Sequence, residues 1–214
     1  MPTVVHDVNG PFKKATFGMG CFWASDALFG AQPGVLRTRV GYSGGTTLDP
    51  VYKKNYIMRS FDSDDKGQSS NGDVATNAST ANNREDHTEV IEIDYDPKVI
   101  SYEDLLDFFW NNHEYGLTTI IKRQKSHRQG PFYPAEDYHQ KYRLQAHPWL
   151  CEALGLTPEL LQTSHTAARL NGYLAGVGKE EDFDKDMIKL GLTEKITSYI
   201  RKHFQENFGG NLYC

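Results

Sequence analysis

The sequence has few cysteines, no CxxC pair and no long apolar run among its 214 residues. Cys21, Cys151 and Cys214 are too few and too scattered for a disulfide framework, and an odd number of cysteines suits a reducing compartment or a catalytic thiol. The eight histidines include no HExxH or comparable spacing, so we expect no metal site. Residues 1–7 resemble neither a secretory signal nor a transit peptide, which predicts a cytoplasmic protein.

An excess of positive charge is also lacking. The net charge is -5 at neutral pH, which argues against a nucleic-acid or anionic-membrane partner. With 38% hydrophobic residues in a chain of this length, the protein is able to bury a substantial core. We therefore expect one domain over residues 1–214, present as a monomer.

Hydrophobic patterns predict three strands and two helices in the first half of the chain. A strand at 15–19 leads into a helix at 21–29, and the alternation over 35–42 indicates a second strand that should pair with the first. A third strand is expected at 87–95. Ser101 followed by Asp104 resembles a capping box at the start of the next helix.

The remaining sequence separates into a polar insert and a helical region. Residues 55–84 are rich in Asn, Ser, Asp and Gly, which predicts a disordered loop. From about residue 143 to residue 214 the chain should be mostly helical. The expected helices of the second half are 135–146, 157–162, 166–174, 180–190 and 193–208.

Cys21 lies in the segment Gly18-Met19-Gly20-Cys21-Phe22-Trp23, at the predicted junction of a strand and a helix. Free amide groups and the positive end of the helix dipole stabilise a thiolate at such a position, so we expect a lowered thiol pKa and a nucleophilic cysteine. The alternative is a buried cysteine that packs beside Phe22 and Trp23. Those two aromatic side chains would line an apolar pocket or simply fill the core, and spacing alone does not choose.

Three other residues are candidates for chemistry. Strand alternation places Glu89 on the same face as Ile91 and Ile93, where partial desolvation should raise its pKa and allow it to donate a proton; alternatively it reaches water at the strand end. Tyr52 offers a phenolic donor or a packing side chain. Cys214 lies in the C-terminal tail, from which its thiol could contact a distant part of the protein; alternatively, a cysteine stands there by chance.

Taken together, six segments resemble the A-type peptide methionine sulfoxide reductases, which reduce the S epimer of methionine sulfoxide. The C-terminal part that ends in Leu212-Tyr213-Cys214 resembles the insect-type branch of that family rather than the bacterial one. The segments are Gly20-Cys21-Phe22-Trp23, Val40-Gly41-Tyr42-Ser43-Gly44-Gly45, Asp49-Pro50-Val51-Tyr52, His87-Thr88-Glu89-Val90 with Tyr95-Asp96-Pro97, Phe109-Trp110-Asn111-Asn112-His113, and Phe132-Tyr133-Pro134-Ala135-Glu136-Asp137-Tyr138-His139-Gln140.

The resemblance implies an α+β fold, a two-layer ferredoxin-like α/β sandwich with a mixed sheet, and no prosthetic cofactor. It implies that Cys21 attacks the sulfoxide sulfur, that Glu89 protonates its oxygen and that Tyr52 helps to hold that oxygen. Phe22 and Trp23 would cradle the methyl group. A second thiol would convert the Cys21 sulfenic acid to a disulfide, which thioredoxin or another dithiol then reduces.

For that second thiol the sequence favours Cys214 over Cys151. Cys151 lies on an apolar helical pattern in Pro148-Trp149-Leu150-Cys151, which predicts burial, whereas the end of the chain is free. The glycine-rich, cysteine-bearing tail of the bacterial enzymes is absent.

One family segment is largely missing. After Asn111-Asn112-His113-Glu114 the family continues with an aspartate, a second active-site tyrosine and two core strands, but here residues 122–130 run almost directly into Pro131. Lys125 stands about where the tyrosine is expected, and two strands are expected to be absent. Two alternatives to a working reductase therefore stay open: an impaired variant that binds thioredoxin or oxidised protein, and a thiol-based redox sensor that reacts with peroxide.

Overall fold

A computed structural model describes residues 4–46, 48, 50–52, 87–112, 130–210 and 212 of the chain. The predicted insert at 55–84 lies outside these residues. The elements in chain order are β1 (Lys13–Phe17), α1 (Phe22–Gly30), β2 (Val35–Ser43), β3 (Thr88–Tyr95), α2 (Tyr102–Asn112), β4 (Tyr133–Pro134), a 3-10 turn (Asp137–His139), α3 (Tyr142–Gln145), α4 (Pro148–Ala153), α5 (Pro158–Thr163), α6 (His165–Leu174), α7 (Glu180–Lys189) and α8 (Glu194–Asn207). The architecture is α+β, as expected. No helix in the described ranges has both the length and the apolar character that crossing a bilayer requires.

The strands form one sheet in the order β1-β3-β2-β4. The predicted pairing of the first two strands is wrong, because β3 lies between them and pairs with both. β1 and β2 run parallel to each other, which is the usual result of a strand-helix-strand connection, and β3 fills the space between them. All pairings among the described strands are antiparallel, so the expected mixed sheet is not seen in this part of the chain.

The two faces of the sheet differ in chemistry. On the inner face, Phe17 of β1 stacks on Phe29 of α1 at 5.4 Å and on Phe109 of α2 at 5.3 Å between ring centroids. Ile91 and Ile93 of β3 are fully buried in the same cluster. The capping box that starts α2 is confirmed: the Asp104 amide donates to the Ser101 hydroxyl, and the Ser101 amide donates to the Asp104 carboxylate, both at 3.0 Å.

The outer face carries a network of ion pairs. Glu92 accepts from Lys14 at 3.1 Å and from Arg39 Nε at 2.6 Å, and Asp94 accepts from Lys14 at 2.6 Å. These charges line a recess of about 460 Å³ between the sheet and α5. None of the predicted site residues lies in this recess.

β4 pairs with only two residues of β2, and side chains form hydrogen bonds with several of the other backbone groups along this edge of β2. The Leu36 carbonyl contacts His165 Nδ1 at 2.8 Å, and the Thr38 carbonyl accepts from Lys141 Nζ at 2.6 Å. The carboxamide of Gln140 accepts from the Val40 amide at 3.0 Å and donates to the Val40 carbonyl at 2.9 Å. Gln140 thus takes the place of a neighbouring strand at Val40, and these contacts leave fewer edge groups available to another chain.

The helical second half is confirmed except at its start. The predicted single helix at 135–146 is wrong: a 3-10 turn and the short helix α3 replace it, directly after β4. The break occurs at Lys141, whose φ of 50° is left-handed and cannot continue a helix. Its buried ammonium group pairs with Asp26 at 3.0 Å, and this tertiary contact fixes the unusual backbone.

Helix α6 packs directly against the back of α1. A Cβ on Gly30 would lie 2.3 Å from the Ala168 carbonyl oxygen, and one on Gly172 would lie 2.6 Å from the Ala27 carbonyl oxygen. Glycine is therefore required at both positions for the two backbones to approach this closely. The C-terminal helices thus hold the helix that follows Cys21.

Three partly or largely buried histidines make stability depend on pH. Burial lowers the pKa of His139, His147 and His165, and for His147 the charge of His203 adds to the effect. The unfolded chain, with histidine pKa values of about 6.5, therefore binds more protons than the folded chain under mildly acidic conditions.

We expect the contribution of these histidines to the free energy of unfolding to be complete above about pH 7. It should fall as the pH drops through about 6.5 towards the lower pKa values of the folded state. Urea denaturation at a series of pH values measures this slope. His147→Gln, which lies away from Cys21, should reduce the slope, whereas a stability independent of pH in this range would contradict the prediction.

Candidate active site

Cys21 lies at the N-cap of α1, directly after the loop that leaves β1. Gly20 turns the chain with a φ of 84°, a conformation that glycine adopts without strain. The predicted position of Cys21 at a helix N-terminus is confirmed. Cys21 is disulfide-bonded, whereas Cys151 is a free thiol.

Glu89 faces the start of the same helix. The Phe22 amide, the first after Cys21, donates to Glu89 Oε2 at 3.1 Å. In the β2–β3 ladder Glu89 lies opposite Tyr42, on the inner face that also carries Ile91 and Ile93. The predicted face is confirmed, and the half-buried carboxylate points to the helix N-terminus next to Cys21.

Aromatic side chains form a wall beside Cys21. Phe22 is 1% exposed and lies 5.9 Å from the Tyr42 ring and 5.0 Å from the His139 ring, so it belongs to the base of this wall. Trp23 is half-buried and stacks on Tyr142 at 3.8 Å with nearly parallel rings. Its indole Nε1–H donates to His139 Nδ1 at 3.0 Å, which fixes the indole in place.

Tyr52 completes the wall from the other side. Its ring lies 4.6 Å from the His139 ring, and its backbone amide donates to Glu136 Oε1 at 3.0 Å. The second oxygen of Glu136 accepts from the Tyr42 hydroxyl at 2.9 Å. Burial is the main cause of a strongly raised pKa of Tyr42, and the hydrogen bond to Glu136 adds to it. The hydroxyl therefore stays protonated and acts as a donor.

His139 is the central residue of this cluster and is 1% exposed. Because its Nδ1 accepts from Trp23, the neutral ring carries its proton on Nε2. Nε2 has no hydrogen-bond partner among the described residues, and Glu136 Oε2 lies 3.9 Å away. Burial lowers the pKa of His139, although the Glu136 charge opposes this effect.

The structure brings together Cys21, Phe22, Trp23, Tyr52 and Glu89. The predicted resolving cysteine Cys214, and Lys125 at the expected tyrosine position, lie outside the described residues. Cys151 belongs to the helical region, where its thiol donates to the Leu144 carbonyl at 3.5 Å and burial raises its pKa. Cys151 is half-buried rather than fully buried.

Three residues of the cluster were missed from the sequence: Glu136, His139 and Tyr142. Glu136 and His139 belong to the motif at 132–140, and all three residues fall in the helix predicted at 135–146, whose pattern assigns no role to their side chains. The signal was present in the acidic and histidine residues that follow Pro134-Ala135. Among the described residues, no three His, Cys, Asp or Glu side chains are arranged to hold a metal ion.

Comparisons with known proteins agree on one family. A family model described as peptide methionine sulfoxide reductase matches residues 13–60 and 67–128. A peptide methionine sulfoxide reductase of Drosophila melanogaster is 45% identical over 98% of this chain and 87% of its own length. Peptide methionine sulfoxide reductase A5 of Arabidopsis thaliana is 31% identical over 94% of this chain and 80% of its own length.

Among solved structures, methionine sulfoxide reductase A of Corynebacterium diphtheriae aligns with a TM-score of 0.43 and 20% identity, over 65% of this chain and 77% of its own. The alignment with the fly protein spans 244 positions against 214 residues here, so at least 30 of its positions have no counterpart in this chain.

Proposed function

The chain belongs to the peptide methionine sulfoxide reductases, an oxidoreductase family, and we propose that it performs the A-type reaction with Cys21 as nucleophile and Glu89 as acid. The substrate is the S epimer of methionine sulfoxide, free or within a protein. The observation that carries this proposal is the placement of the Glu89 carboxylate on the first amide after Cys21. One helix N-terminus thereby holds both the thiol and the acid.

In the first step the Cys21 thiolate attacks the sulfoxide sulfur while Glu89 gives its proton to the sulfoxide oxygen. The oxygen passes to Cys21, which becomes a sulfenic acid, and methionine leaves with the two electrons that Cys21 has lost. Tyr52 helps to hold the oxygen through its hydroxyl group. Phe22 and Trp23 bound the space for the methyl group, and His139 and Tyr142 support the Trp23 indole.

In the second step Cys214 attacks the sulfenic acid of Cys21, and water leaves as the disulfide forms. The oxidised state of Cys21 and the free thiol of Cys151 support this choice of resolving cysteine. The raised pKa of Cys151 also makes it a poor nucleophile near neutral pH.

Thioredoxin, acting as the dithiol reductant, then returns both cysteines to thiols. The family uses no prosthetic cofactor, so all electrons come from thiols. We place this repair of oxidised proteins in the cytoplasm, as a monomer with a single domain over residues 1–214 and as part of the response to oxidative stress.

We also propose that the sheet derives from a ferredoxin-like sandwich. The parallel β1 and β2 with an antiparallel β3 between them support this topology. The segment with the family's second tyrosine and two strands is dispensable in this proposal. An impaired protein that binds without turnover is the competing function, and the positions lacking a counterpart here favour it.

The number of thiols lost during one turnover tests the proposal. Reduced protein mixed with the S epimer of methionine sulfoxide is expected to lose two thiols and release one methionine, whereas the R epimer gives no loss. Cys151→Ser should still lose two thiols. Cys214→Ser should release methionine but lose only one thiol, because the sulfenic acid remains unresolved.

Each other outcome has a defined meaning. No thiol loss with either epimer, in protein that unfolds cooperatively, would assign the impaired function. Two thiols lost in Cys214→Ser, and one in Cys151→Ser, would transfer the resolving role to Cys151. Faster loss with peroxide than with the S epimer would assign the redox sensor.

A further inference from the structure

We infer that Glu136 is a positioning residue for the reaction, and that it acts by holding Tyr52 at the site. This inference rests on the proposed role of Tyr52 in binding the sulfoxide oxygen. Glu136 precedes the 3-10 turn that carries His139, and its side chain is 31% exposed. It touches no reacting atom in the proposed mechanism.

The carboxylate of Glu136 joins three parts of the site. Oε1 accepts from the backbone amide of Tyr52 at 3.0 Å, and Oε2 accepts from the Tyr42 hydroxyl at 2.9 Å. Oε2 also lies 3.9 Å from His139 Nε2. The segment of Tyr52, strand β2 and the turn that follows β4 thus meet at one side chain.

This arrangement fixes the Tyr52 ring relative to the aromatic wall. Glu136 accepts a hydrogen bond from the Tyr52 backbone amide. His139, which follows Glu136 by three residues, packs against the Tyr52 ring and accepts a hydrogen bond from the Trp23 indole. A rigid 3-10 turn links the two contacts, and His139 and Gln140 each donate their amides within it. The phenol and the indole are therefore held by the same short segment.

The charges agree with an acceptor that stays ionised. Burial opposes ionisation of Glu136, but the hydrogen bonds from the backbone and from Tyr42, together with the nearby His139, lower its pKa overall. Hydrogen bonds to an ionised acceptor are stronger than those between neutral groups. Glu136 therefore binds Tyr52 throughout the neutral pH range in which the thiol chemistry operates.

A matched set of variants separates the effect of side-chain length at position 136 from the effect of its charge. Glu136→Gln keeps the length of the side chain, and its carboxamide still accepts from Tyr52 and donates to the Tyr42 oxygen. Glu136→Asp keeps the charge but is one methylene shorter, and Glu136→Ala removes both contacts. We expect kcat with the S epimer to fall about 10- to 100-fold in the Asp and Ala variants and less than about threefold in the Gln variant.

The loss should appear more in kcat than in KM, because the hydrogen bond from the Tyr52 hydroxyl to the bound oxygen strengthens as charge develops there. Tyr42→Phe removes the other hydrogen bond of the carboxylate and leaves Tyr52 bound, so its loss in kcat should be smaller than that of Glu136→Ala. Thermal unfolding of each variant identifies losses that come from a disrupted fold.

A double-mutant cycle with Tyr52→Phe completes the test. If Glu136 acts through Tyr52, Glu136→Ala should cost less than about threefold in the Tyr52→Phe background, although it costs at least tenfold in the parent. Equal losses in both backgrounds would overturn the inference, as would Gln and Asp variants of equal activity. If Glu136→Ala does not fold, the Gln and Asp variants in both backgrounds decide the question.

The cycle also separates this inference from the proposed function. If Tyr52→Phe is fully active, the proposed role of Tyr52 fails and the inference fails with it. If Tyr52→Phe loses activity while Glu136→Ala and Glu136→Asp do not, the role of Tyr52 stands and only the inference about Glu136 is overturned.

Discussion

Cys21→Ser is expected to abolish reduction of the S epimer, with turnover falling to the uncatalysed rate. In the proposed reaction the two electrons that reduce the sulfoxide come from the sulfur of Cys21, which is oxidised to a sulfenic acid. A serine hydroxyl supplies neither the electrons nor a comparable nucleophile. Methionine release from S-methionine sulfoxide, with excess dithiothreitol as reductant, measures the effect.

Two comparisons make this result specific. Cys151→Ser should keep the activity of the parent with dithiothreitol, because that thiol lies in the helical region away from the site. Glu89→Gln should retain the fold but lose about 10²- to 10⁴-fold in kcat, since an amide cannot donate the proton of a carboxylic acid. Measurable methionine release by Cys21→Ser would contradict the assigned nucleophile.

Asp26→Leu is expected to cause the largest loss of stability, about 3–5 kcal/mol in the free energy of unfolding. Asp26 and Lys141 are both fully buried, and their charged groups lie 3.0 Å apart. The Asp26 carboxylate also accepts from the Thr38 hydroxyl at 2.6 Å and from the Lys141 amide at 3.0 Å. Without this carboxylate, no residue that the structure describes places an anion beside the buried ammonium group of Lys141. Urea denaturation measures the loss.

The double variant Asp26→Leu with Lys141→Met provides the control. Because it leaves no buried charge, it should be more stable than the Asp26→Leu single variant, although Thr38 loses two partners. A double variant as unstable as the sum of both single variants would show that the two side chains are not coupled.

The Asp26–Lys141 pair also explains why residues 135–146 do not form the single helix that their pattern predicts. The pattern of residues 135–146 is compatible with a helix, and the sequence does not reveal that Lys141 reaches back over 115 residues to Asp26. That contact holds Lys141 at a φ of 50° and places Gln140 against Val40. Burying either charge without its partner would cost more than the small helix propensities on which the prediction depended, so the pairing overrides them.

The site also contains both kinds of feature: some that local sequence predicts and some that depend on contacts between distant residues. The position of Cys21 at the start of α1 follows from a local pattern of glycine, apolar residues and a helix, and it was predicted correctly. The face of Glu89 follows from strand alternation, which is also local. Glu136 and His139 gain their place only because β4 and the 3-10 turn lie against β2, a contact between distant parts of the chain.

The sequence by itself determined the local elements, the capping box at Ser101, the face of Glu89 and the family to which the chain belongs. These depend on periodicity and short motifs, which neighbouring residues establish without reference to the rest of the fold. Only the tertiary structure decided that β3 lies between β1 and β2, that Lys141 breaks the expected helix, and that Glu136 joins Tyr52 to the sheet. Each of these depends on contacts between residues far apart in the chain, whose energies outweigh local preference.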